Sequence, residues 1–335
     1  MRAMILCATG PVHGEPRLEP VEIPVPEPGP EELRVRVHAC GVCRTDLHVV
    51  EGDLSPRKLP LVPGHEVVGT VEALGVGVRD FAVGDRVGIA WVRSTCGRCE
   101  FCREGRTNLC PDARFTGWTD DGGYAERAVV PAAWAYPIPD VFTDDEAAPL
   151  LCAGIIGYRA LALSSVRPGE RFGLYGFGGS AHIVIQLALH RGCEVFVSSL
   201  RKEHQDLARS MGAAWVGGVD EAPPVPLHGS ILFAPAGELV PGALRALRPG
   251  GTLACAGIHM TPIPEIDYGR DLFGERVLRS VTANTREDGL GLLREAAEIP
   301  VRPRTQLFPL AEANRALELL KQGRISGAAV LRGCE

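Results

Sequence analysis

The sequence has no surplus of positive charge. Lysine and arginine together number 35 against 41 aspartates and glutamates, which gives a formal net charge of −6. Proteins that bind the nucleic-acid backbone carry clustered positive charge, so we expect no nucleic-acid partner.

The chain also has only three lysines, three asparagines and four glutamines, but 27 prolines. Few amides and many prolines fit a heat-adapted protein, whereas a preference for arginine also follows from genome composition.

Long hydrophobic runs are also missing. No apolar run reaches the roughly 18 residues of a membrane span, so we expect no membrane association. The N-terminal stretch MRAMILCATG lacks the long apolar region of a secretory signal, which favours a cytoplasmic location. Cysteine, in contrast, is abundant, with eleven residues. In a chain without a leader, so many cysteines indicate reduced thiols for metal binding or catalysis rather than disulfides.

Two domains are expected from the length, because 335 residues exceed what one hydrophobic core usually supports. Residues 1–148 contain short runs of alternating apolar and polar residues, such as LRVRVHACGVC, which predict a β-rich domain with many turns. Residues 149–284 alternate strand-like and helix-like segments, the pattern of a parallel sheet with crossover helices. Residues 285–335 add two amphipathic helices outside that alternation. The sequence thus predicts a mixed α/β protein.

Four cysteines lie close together on one segment. Cys96, Cys99, Cys102 and Cys110 follow the spacing C-x2-C-x2-C-x7-C. Four thiolates so placed can close a tetrahedral shell around zinc, and such a site is structural because no position stays open for substrate. The first three also match the spacing of a bacterial ferredoxin, so an iron–sulfur cluster is an alternative on local grounds.

A second set of metal ligands is scattered along the chain. Cys43, His65 and Cys152 would give zinc two thiolates and one imidazole. Three protein ligands leave a fourth position for water or substrate, which is the arrangement of catalytic zinc. Each residue alone is weak evidence, since a single cysteine beside a glycine is more often a small core residue.

A glycine-rich turn lies between an apolar strand and a helix. The motif G-x-G-x-x-G/A is matched by Gly176, Gly178, Gly179, Ser180 and Ala181. Glycines here let the backbone approach a pyrophosphate, and the helix N-terminus offers free N–H groups to the anion. The strand–turn–helix context favours a dinucleotide-binding site over an ordinary glycine turn.

Taken in order, these segments resemble the zinc-dependent medium-chain alcohol dehydrogenases over essentially the whole chain. The resemblance rests on GVCRTDLHVVEGD, PLVPGHEVVGTV, VGDRVGIAWV, the four-cysteine loop, LLCAG and GFGGSAH. It implies a GroES-like β catalytic domain formed by residues 1–148 and 285–335, with a Rossmann domain, a doubly wound parallel sheet of residues 149–284, inserted between them. It also implies zinc rather than iron at the four cysteines, and hence two zinc ions per chain.

The resemblance assigns roles around the catalytic zinc. Cys43, His65 and Cys152 would be its ligands. Glu66 follows His65 directly, and is expected either to approach the metal when water leaves or to remain an ordinary neighbouring acid.

Further roles fall on the GVCRTDLH segment and on a later tryptophan. Asp46 is expected to orient the zinc site, and Arg324 is a candidate for the late arginine that partners this acid in the family. Thr45 would hydrogen-bond the substrate oxygen, and His48 would end the proton relay towards solvent. Trp91 matches an aromatic wall of the alcohol pocket, where its bulk would favour primary alcohols.

The end of the second Rossmann strand bears on the choice of cofactor. NAD-binding members carry an acid there that holds both ribose hydroxyls. In this chain the position falls on Ser199, followed by Arg201 and Lys202. A hydroxyl and two cations suit a 2′-phosphate. We therefore expect NADP(H) to be favoured, with NAD(H) as the alternative.

The resemblance thus implies an NAD(P)-dependent zinc oxidoreductase that interconverts small alcohols and aldehydes by hydride transfer. A polyol dehydrogenase on the same fold is an alternative, although such enzymes commonly have Glu as the third zinc ligand, where this chain has Cys152. A zinc-free quinone reductase would lack Cys43 and His65 as a pair, and a non-enzymatic zinc module disagrees with the acidic charge. Family members are usually dimers or tetramers, so we expect a homodimer or homotetramer.

Overall fold

The chain forms two compact units. A computed structural model describes residues 1–299 and 301–333. The first unit comprises Met1–Ala153 and the described residues from Ala283 onward, and the second comprises Gly154–Thr282. Cys152 therefore belongs to the same unit as Cys43 and His65.

The helices and strands are numbered along the chain. The strands are β1 (Arg2–Leu6), β2 (Leu18–Glu22), β3 (Glu32–Val42), β4 (Glu66–Leu74), β5 (Arg86–Ile89), β6 (Val92–Ser94), β7 (Arg114–Phe115), β8 (Arg127–Pro131), β9 (Ala135–Pro137), β10 (Arg171–Tyr175), β11 (Glu194–Ser198), β12 (Trp215–Gly217), β13 (Leu227–Leu232), β14 (Leu247–Cys255), β15 (Val277–Ser280), β16 (Thr305–Pro309) and β17 (Ala328–Arg332). The α-helices are α1 (Arg44–Glu51), α2 (Glu100–Arg103), α3 (Asp144–Pro149), α4 (Ile155–Leu163), α5 (Ala181–His190), α6 (Lys202–Ser210), α7 (Val240–Arg245), α8 (Arg286–Glu298) and α9 (Ala313–Lys321).

The first unit is built on a largely antiparallel sheet. Its strand order is β16-β17-β3-β4-β5-β9, and β8 also pairs with β3. Along β3, Leu33, Val35 and Val37 are buried and alternate with more exposed polar residues, as the two-residue period of a strand requires. From Ala39 to Val42 every residue is buried. This end of β3 leads directly to Cys43, so the first predicted metal ligand follows a fully buried stretch of the sheet.

The second unit is a parallel six-stranded sheet with the order β12-β11-β10-β13-β14-β15. The chain starts in the middle with β10, runs outward to β12, crosses back to β13 and continues to β15. This is the 3-2-1-4-5-6 order of the Rossmann fold, whose ligands bind at the carboxyl ends of the strands where the order reverses. In this unit the reversal lies between β10 and β13, and the predicted doubly wound sheet is confirmed.

One helical stretch among the described residues, Asp144–Leu163, has the length and composition of a membrane span, with a mean hydropathy of 1.3. Inside the protein, 56% of its apolar window is buried. Core helices of globular proteins pass the same test of length and composition, and burial of this kind is what a core helix shows.

Candidate active site and metal centres

Three residues from distant parts of the sequence meet in the first unit. Cys43 Sγ lies 3.4 Å from His65 Nε2 and 3.9 Å from Cys152 Sγ. One carboxylate oxygen of Glu66 joins them, and the four potential ligand atoms all lie within 4.8 Å of one another. His65 and Glu66 are buried, at 0% and 2% exposure. Two thiols, an imidazole and a carboxylate at this spacing form a donor set that fits a divalent metal.

Cys43 is held by the start of a helix. It is the N-terminal cap of α1, and its Sγ accepts a hydrogen bond of 3.2 Å from the Thr45 N–H. In return, the Asp46 carboxylate accepts a hydrogen bond of 2.9 Å from the Cys43 N–H. These reciprocal bonds form a capping box that fixes the direction of the thiol. A hydrogen bond from the Cys152 thiol, together with His65, lowers the pKa of Cys43 well below its ordinary value, which favours the thiolate that binds metals.

His65 is oriented by the same carboxylate. Its Nδ1 lies 2.8 Å from Asp46 Oδ1, and Asp46 is only 1% exposed. A carboxylate can only accept, so Nδ1 carries a proton, which leaves Nε2 as the ligand atom once an incoming metal displaces its proton. Burial alone would lower the pKa of His65, but the negative charges of Asp46 and Cys43 hold it well above its ordinary value.

Cys152 lies on an irregular turn of helix. Residues Leu150–Gly154 form a π-helical segment between α3 and α4. Single π-helical turns inserted in α-helices change the direction of the side chains they carry and are frequent at functional sites. The sequence motif LLCAG indicated the ligand, but nothing in it predicted this backbone.

Glu66 has an oxygen without a partner. Its Oε1 is buried and makes no hydrogen bond within the described part of the chain. Burial, followed by the charge of Cys43, raises the pKa of Glu66 well above its ordinary value. The carboxylate fits only because residue 41 is glycine, since a Cβ atom there would lie 1.7 Å from Glu66 Oε2. An unsatisfied buried oxygen beside two thiols and an imidazole again fits a bound cation.

The structure corrects the predicted partner of Asp46. Arg324 is exposed, and its guanidinium donates to Gln322 Oε1 at 3.3 Å. Asp46 Oδ2 is instead bonded by the hydroxyl of Tyr124, at 3.2 Å, and by the Cys43 N–H. Arg324 was predicted only from its position late in the chain, and it lies on the surface just beyond the end of α9. Tyr124 lies in the segment DGGYAE, which carried no signal for this role.

The two residues of the predicted relay lie one turn apart on α1. Thr45 is 8% exposed and follows Cys43 by two positions. His48 is three residues further, on the same side of the helix, and its Nδ1 lies 2.9 Å from Asp53 Oδ2. The helix therefore carries one hydroxyl beside Cys43, a predicted metal ligand, and one imidazole a turn further along.

Trp91 packs directly on His65, one of the predicted metal ligands. Its ring centroid lies 4.9 Å from that of His65, at an interplanar angle of 68°. Phe115 and Trp118 extend the aromatic surface, with ring centroids 5.0 Å and 5.9 Å from Trp91. The predicted wall residue is thus next to the centre, and the sequence analysis did not single out the two aromatic residues beyond it.

The four-cysteine loop forms a second, separate centre in the first unit. The sulfur atoms of Cys96, Cys99, Cys102 and Cys110 lie within 4.8 Å of one another. Backbone N–H groups point at them, because Cys99 N donates to Cys96 Sγ at 3.4 Å and Cys102 N to Cys99 Sγ at 3.5 Å. Hydrogen bonds from the backbone at Arg98 and Cys99 lower the pKa of Cys96 to about 6. Four convergent thiols with such support fit a closed tetrahedral metal site.

The glycine turn lies at the strand-order reversal of the second unit. Gly176 follows β10 with φ of 87°, and a Cβ atom there would lie 2.9 Å from Ala234 N. A Cβ atom on Gly178 would meet nothing within 4 Å, so the surface above it is open. Ser180 precedes α5 without making a side-chain cap. The N–H groups of His182 and Ile183 already donate to Gly178 O and Ser180 O, so an anion would meet the N–H groups nearest the turn, those of Ser180 and Ala181.

The predicted cofactor-selecting residues lie just after β11. Ser199 is 3% exposed, and its N–H donates to Gly217 O at 3.1 Å. Arg201 is exposed at the start of α6. Glu221, which no sequence motif indicated, has its carboxylate beside Gly217 and Gly218, where Cβ atoms would lie 3.0 Å and 3.2 Å from its oxygens. An acid from the β12–β13 connection therefore comes close to the end of a strand that has no acid of its own.

Comparison with known proteins agrees with this geometry. Residues 29–140 match the family model described as Alcohol dehydrogenase GroES-like domain. The chain is 54% identical over 327 residues to "Probable alcohol dehydrogenase AdhA" of Mycobacterium tuberculosis, covering 96% of this chain and 94% of that protein. It is similar to a cobalt and zinc bound thermostable alcohol dehydrogenase from Pyrobaculum aerophilum, with TM-score 0.89, 29% identity and 99% of each chain covered. A solved NAD-dependent alcohol dehydrogenase gives TM-score 0.89 and 28% identity, also over 99% of each chain.

The chain therefore belongs to the zinc-dependent medium-chain alcohol dehydrogenase family. The predicted family and the combination of a GroES-like domain with a Rossmann sheet are confirmed. The protein is an oxidoreductase that interconverts alcohols and aldehydes. The roles of the individual site residues stay predictions.

Proposed function

We propose that the first unit oxidises alcohols and reduces aldehydes at a zinc ion held by Cys43, His65 and Cys152. The observation that carries this proposal is the convergence of two thiols, an imidazole and an unpartnered carboxylate oxygen in a buried site. When bound, zinc supplies a Lewis acid for the substrate oxygen, and a nicotinamide dinucleotide accepts or returns the hydride. The protein's own contribution is to hold the ion, to orient the substrate and to exclude water.

The chain's residues divide these tasks. Asp46 fixes the proton on Nδ1 of His65 and so keeps Nε2 free as a ligand atom. Thr45 is the hydroxyl nearest to the ligand Cys43 along α1, and would receive the alcohol proton and pass it outward. His48, one turn further and paired with Asp53, would deliver that proton to solvent. Glu66 is proposed as a movable fourth ligand, since its Oε1 is buried and makes no hydrogen bond within the described residues.

The four-cysteine centre would hold a second zinc with a structural role. Its four thiolates would fill the tetrahedral coordination of the ion, so no coordination position would remain for substrate. Two zinc ions per chain are therefore proposed, one for each donor set. We also propose the predicted division into a catalytic domain of residues 1–148 and 285–335 and a cofactor domain of residues 149–284, with the first boundary moved to follow Ala153 so that Cys152 stays with the other zinc ligands.

The second unit would bind the dinucleotide, with the pyrophosphate on the turn from Gly176 to Ala181. The open surface above Gly178 and the uncapped start of α5 support this. NADP(H) is the favoured cofactor, because Ser199 replaces an acid and Arg201 is exposed next to it.

Primary alcohols are the proposed substrates, since Trp91 and its aromatic neighbours crowd the side of the centre next to His65.

The test of the proposed function combines metal analysis with turnover. Protein purified without chelator should contain close to two zinc ions per chain and should change the absorbance of NADPH when benzaldehyde is added. Cys43→Ser should lose one zinc and all turnover while keeping its fold. Full activity of metal-free protein would overturn the proposal.

A further inference from the structure

Tyr124 is a fully buried tyrosine whose hydroxyl reaches the carboxylate behind the catalytic centre. Its side chain is 0% exposed, and the hydroxyl donates to Asp46 Oδ2 at 3.2 Å. The other oxygen of that carboxylate bonds His65 Nδ1 at 2.8 Å. One carboxylate thus links a phenol on one side to a proposed metal ligand on the other.

Asp46 depends on a small number of donors. It is 1% exposed, and its described partners are the imidazole of His65, the Cys43 N–H and the Tyr124 hydroxyl. A buried carboxylate is costly unless its lone pairs are satisfied. Loss of the phenol would leave Oδ2 with a single donor, so the carboxylate could rotate away from the direction in which it now holds His65.

The backbone fixes Tyr124 against the segment that leads into His65. Gly122 N donates to Val62 O at 2.7 Å, Gly123 N to Gly64 O at 2.9 Å and Tyr124 N to Pro63 O at 2.9 Å. The ring fills the space beside residue 64, where a Cβ atom would lie 2.3 Å from its Cδ1. Because main chain and ring are both held, the hydroxyl has little freedom to point elsewhere.

We propose that Tyr124 is a positioning residue that, through Asp46, sets the orientation of His65 and thereby the metal affinity of the catalytic centre. This rests on the proposed function, in which Cys43, His65 and Cys152 bind the metal. The phenol itself does not touch substrate, cofactor or metal ligand atoms. Its effect passes through one carboxylate, and it should therefore appear first in metal binding.

The deciding variant is Tyr124→Phe, which keeps the ring and removes only the hydroxyl. We expect the catalytic centre to release its zinc to a chromogenic chelator about tenfold faster than in the parent. A tenfold effect is the lower end of the loss of metal affinity that follows when a hydrogen-bond partner behind a ligating histidine is removed. Release from the four-cysteine centre should not change, which gives an internal reference within the same molecule. Cys43→Ser, which lacks a catalytic ligand, identifies which phase of release belongs to which centre.

Tyr136→Phe is the matched control. Tyr136 is also fully buried in the first unit, with its ring against Arg286 and Gly289. It should release zinc as the parent does. Parent-like release in Tyr124→Phe would overturn the inference, as would equal acceleration in both phenylalanine variants, which would show a general loss of packing.

A double-mutant cycle with Asp46→Asn tests the path of the effect. If Tyr124 acts through Asp46, removing the hydroxyl in the Asp46→Asn background should add little to the release rate. If the effects of Tyr124→Phe and Asp46→Asn on the release rate were fully additive, Tyr124 would not act through Asp46. The proposed function fails separately: a parent protein that holds only the four-cysteine zinc would overturn the catalytic centre itself, before Tyr124 is considered.

Discussion

The indole ring of Trp91 meets the imidazole ring of His65 edge to face, with centroids 4.9 Å apart. A ligand of the proposed metal centre therefore has an aromatic wall in direct contact with it. Trp91 is 8% exposed and is supported from behind by Phe115 and Trp118. The supporting rings limit how far the indole can move to admit a branched substrate.

Trp91→Ala should widen the substrate range. Removing the indole opens space next to His65, so kcat/KM for secondary or bulky alcohols should rise relative to that for a small primary alcohol. A relative gain of about tenfold corresponds to the 1–3 kcal/mol that one or two apolar groups contribute in a pocket. The measurement is a panel of primary and secondary alcohols with one cofactor. Unchanged relative values across the panel would remove Trp91 from the pocket.

Gly41→Ala should displace Glu66. The new methyl would lie 1.7 Å from Glu66 Oε2 and 2.8 Å from its Cβ, and neither β3 nor β4 can shift freely inside the sheet. Overpacking of this kind costs about 1–3 kcal/mol. We expect lower thermal stability and a large loss of turnover, measured by melting temperature and kcat. Parent-like values of both would show that the glycine is not required by the carboxylate.

The two cysteine sets should respond differently to substitution. Cys99→Ser breaks the closed centre, whose metal contributes folding free energy, so Tm should fall by roughly 5 °C or more. Its remaining folded fraction should keep kcat near that of the parent. Cys43→Ser should show the opposite pattern, with a small change in Tm and no turnover. Loss of turnover in folded Cys99→Ser protein would contradict a purely structural role.

Much of this site could be predicted from the sequence because its chemistry lies in local motifs. Each motif consists of a few neighbouring residues, and the order of the motifs identified the family. These motifs are the cysteine spacing, GHE, LLCAG and the glycine turn. The alternation of strands and helices predicted the parallel sheet of the second unit, and the family resemblance implied its Rossmann order.

The missed contacts join residues that are far apart in the sequence. Tyr124 reaches Asp46 across 78 positions, and Glu66 fits only because Gly41 lies beside it on the neighbouring strand. Such contacts depend on strand register and packing, which no local pattern records. The wrong assignment of Arg324 has the same cause, because a position late in the chain does not determine which way a side chain points.

Thr45 should be essential for its hydroxyl and not for its shape. Thr45→Val keeps the volume and removes the proton acceptor, so alcohol oxidation should nearly disappear, whereas Thr45→Ser should keep much of it. His48→Ala should lose about tenfold, because water can replace the outer end of the relay. The test is kcat for alcohol oxidation in the three variants. Oxidation by Thr45→Val at the parent rate would refute the relay.

The cofactor preference should depend on two residues at the end of β11 and beyond β12. Ser199→Asp restores an acid where the family holds the ribose, so it should shift kcat/KM from NADPH towards NADH by tenfold or more. Glu221→Gln should shift the ratio towards NADPH, because the negative charge of Glu221 repels a 2′-phosphate. The Glu221 carboxylate lies beside Gly217, whose carbonyl accepts a hydrogen bond from the Ser199 N–H.

Asp206→Asn is the matched control, since that acid lies further along α6 and pairs with Lys202 at 3.0 Å. All four proteins are compared on one aldehyde with both cofactors. A parent enzyme that prefers NADH by tenfold would refute the NADP(H) proposal, and a Glu221→Gln variant that then moves towards NADPH would identify Glu221 as the acid that replaces the missing one.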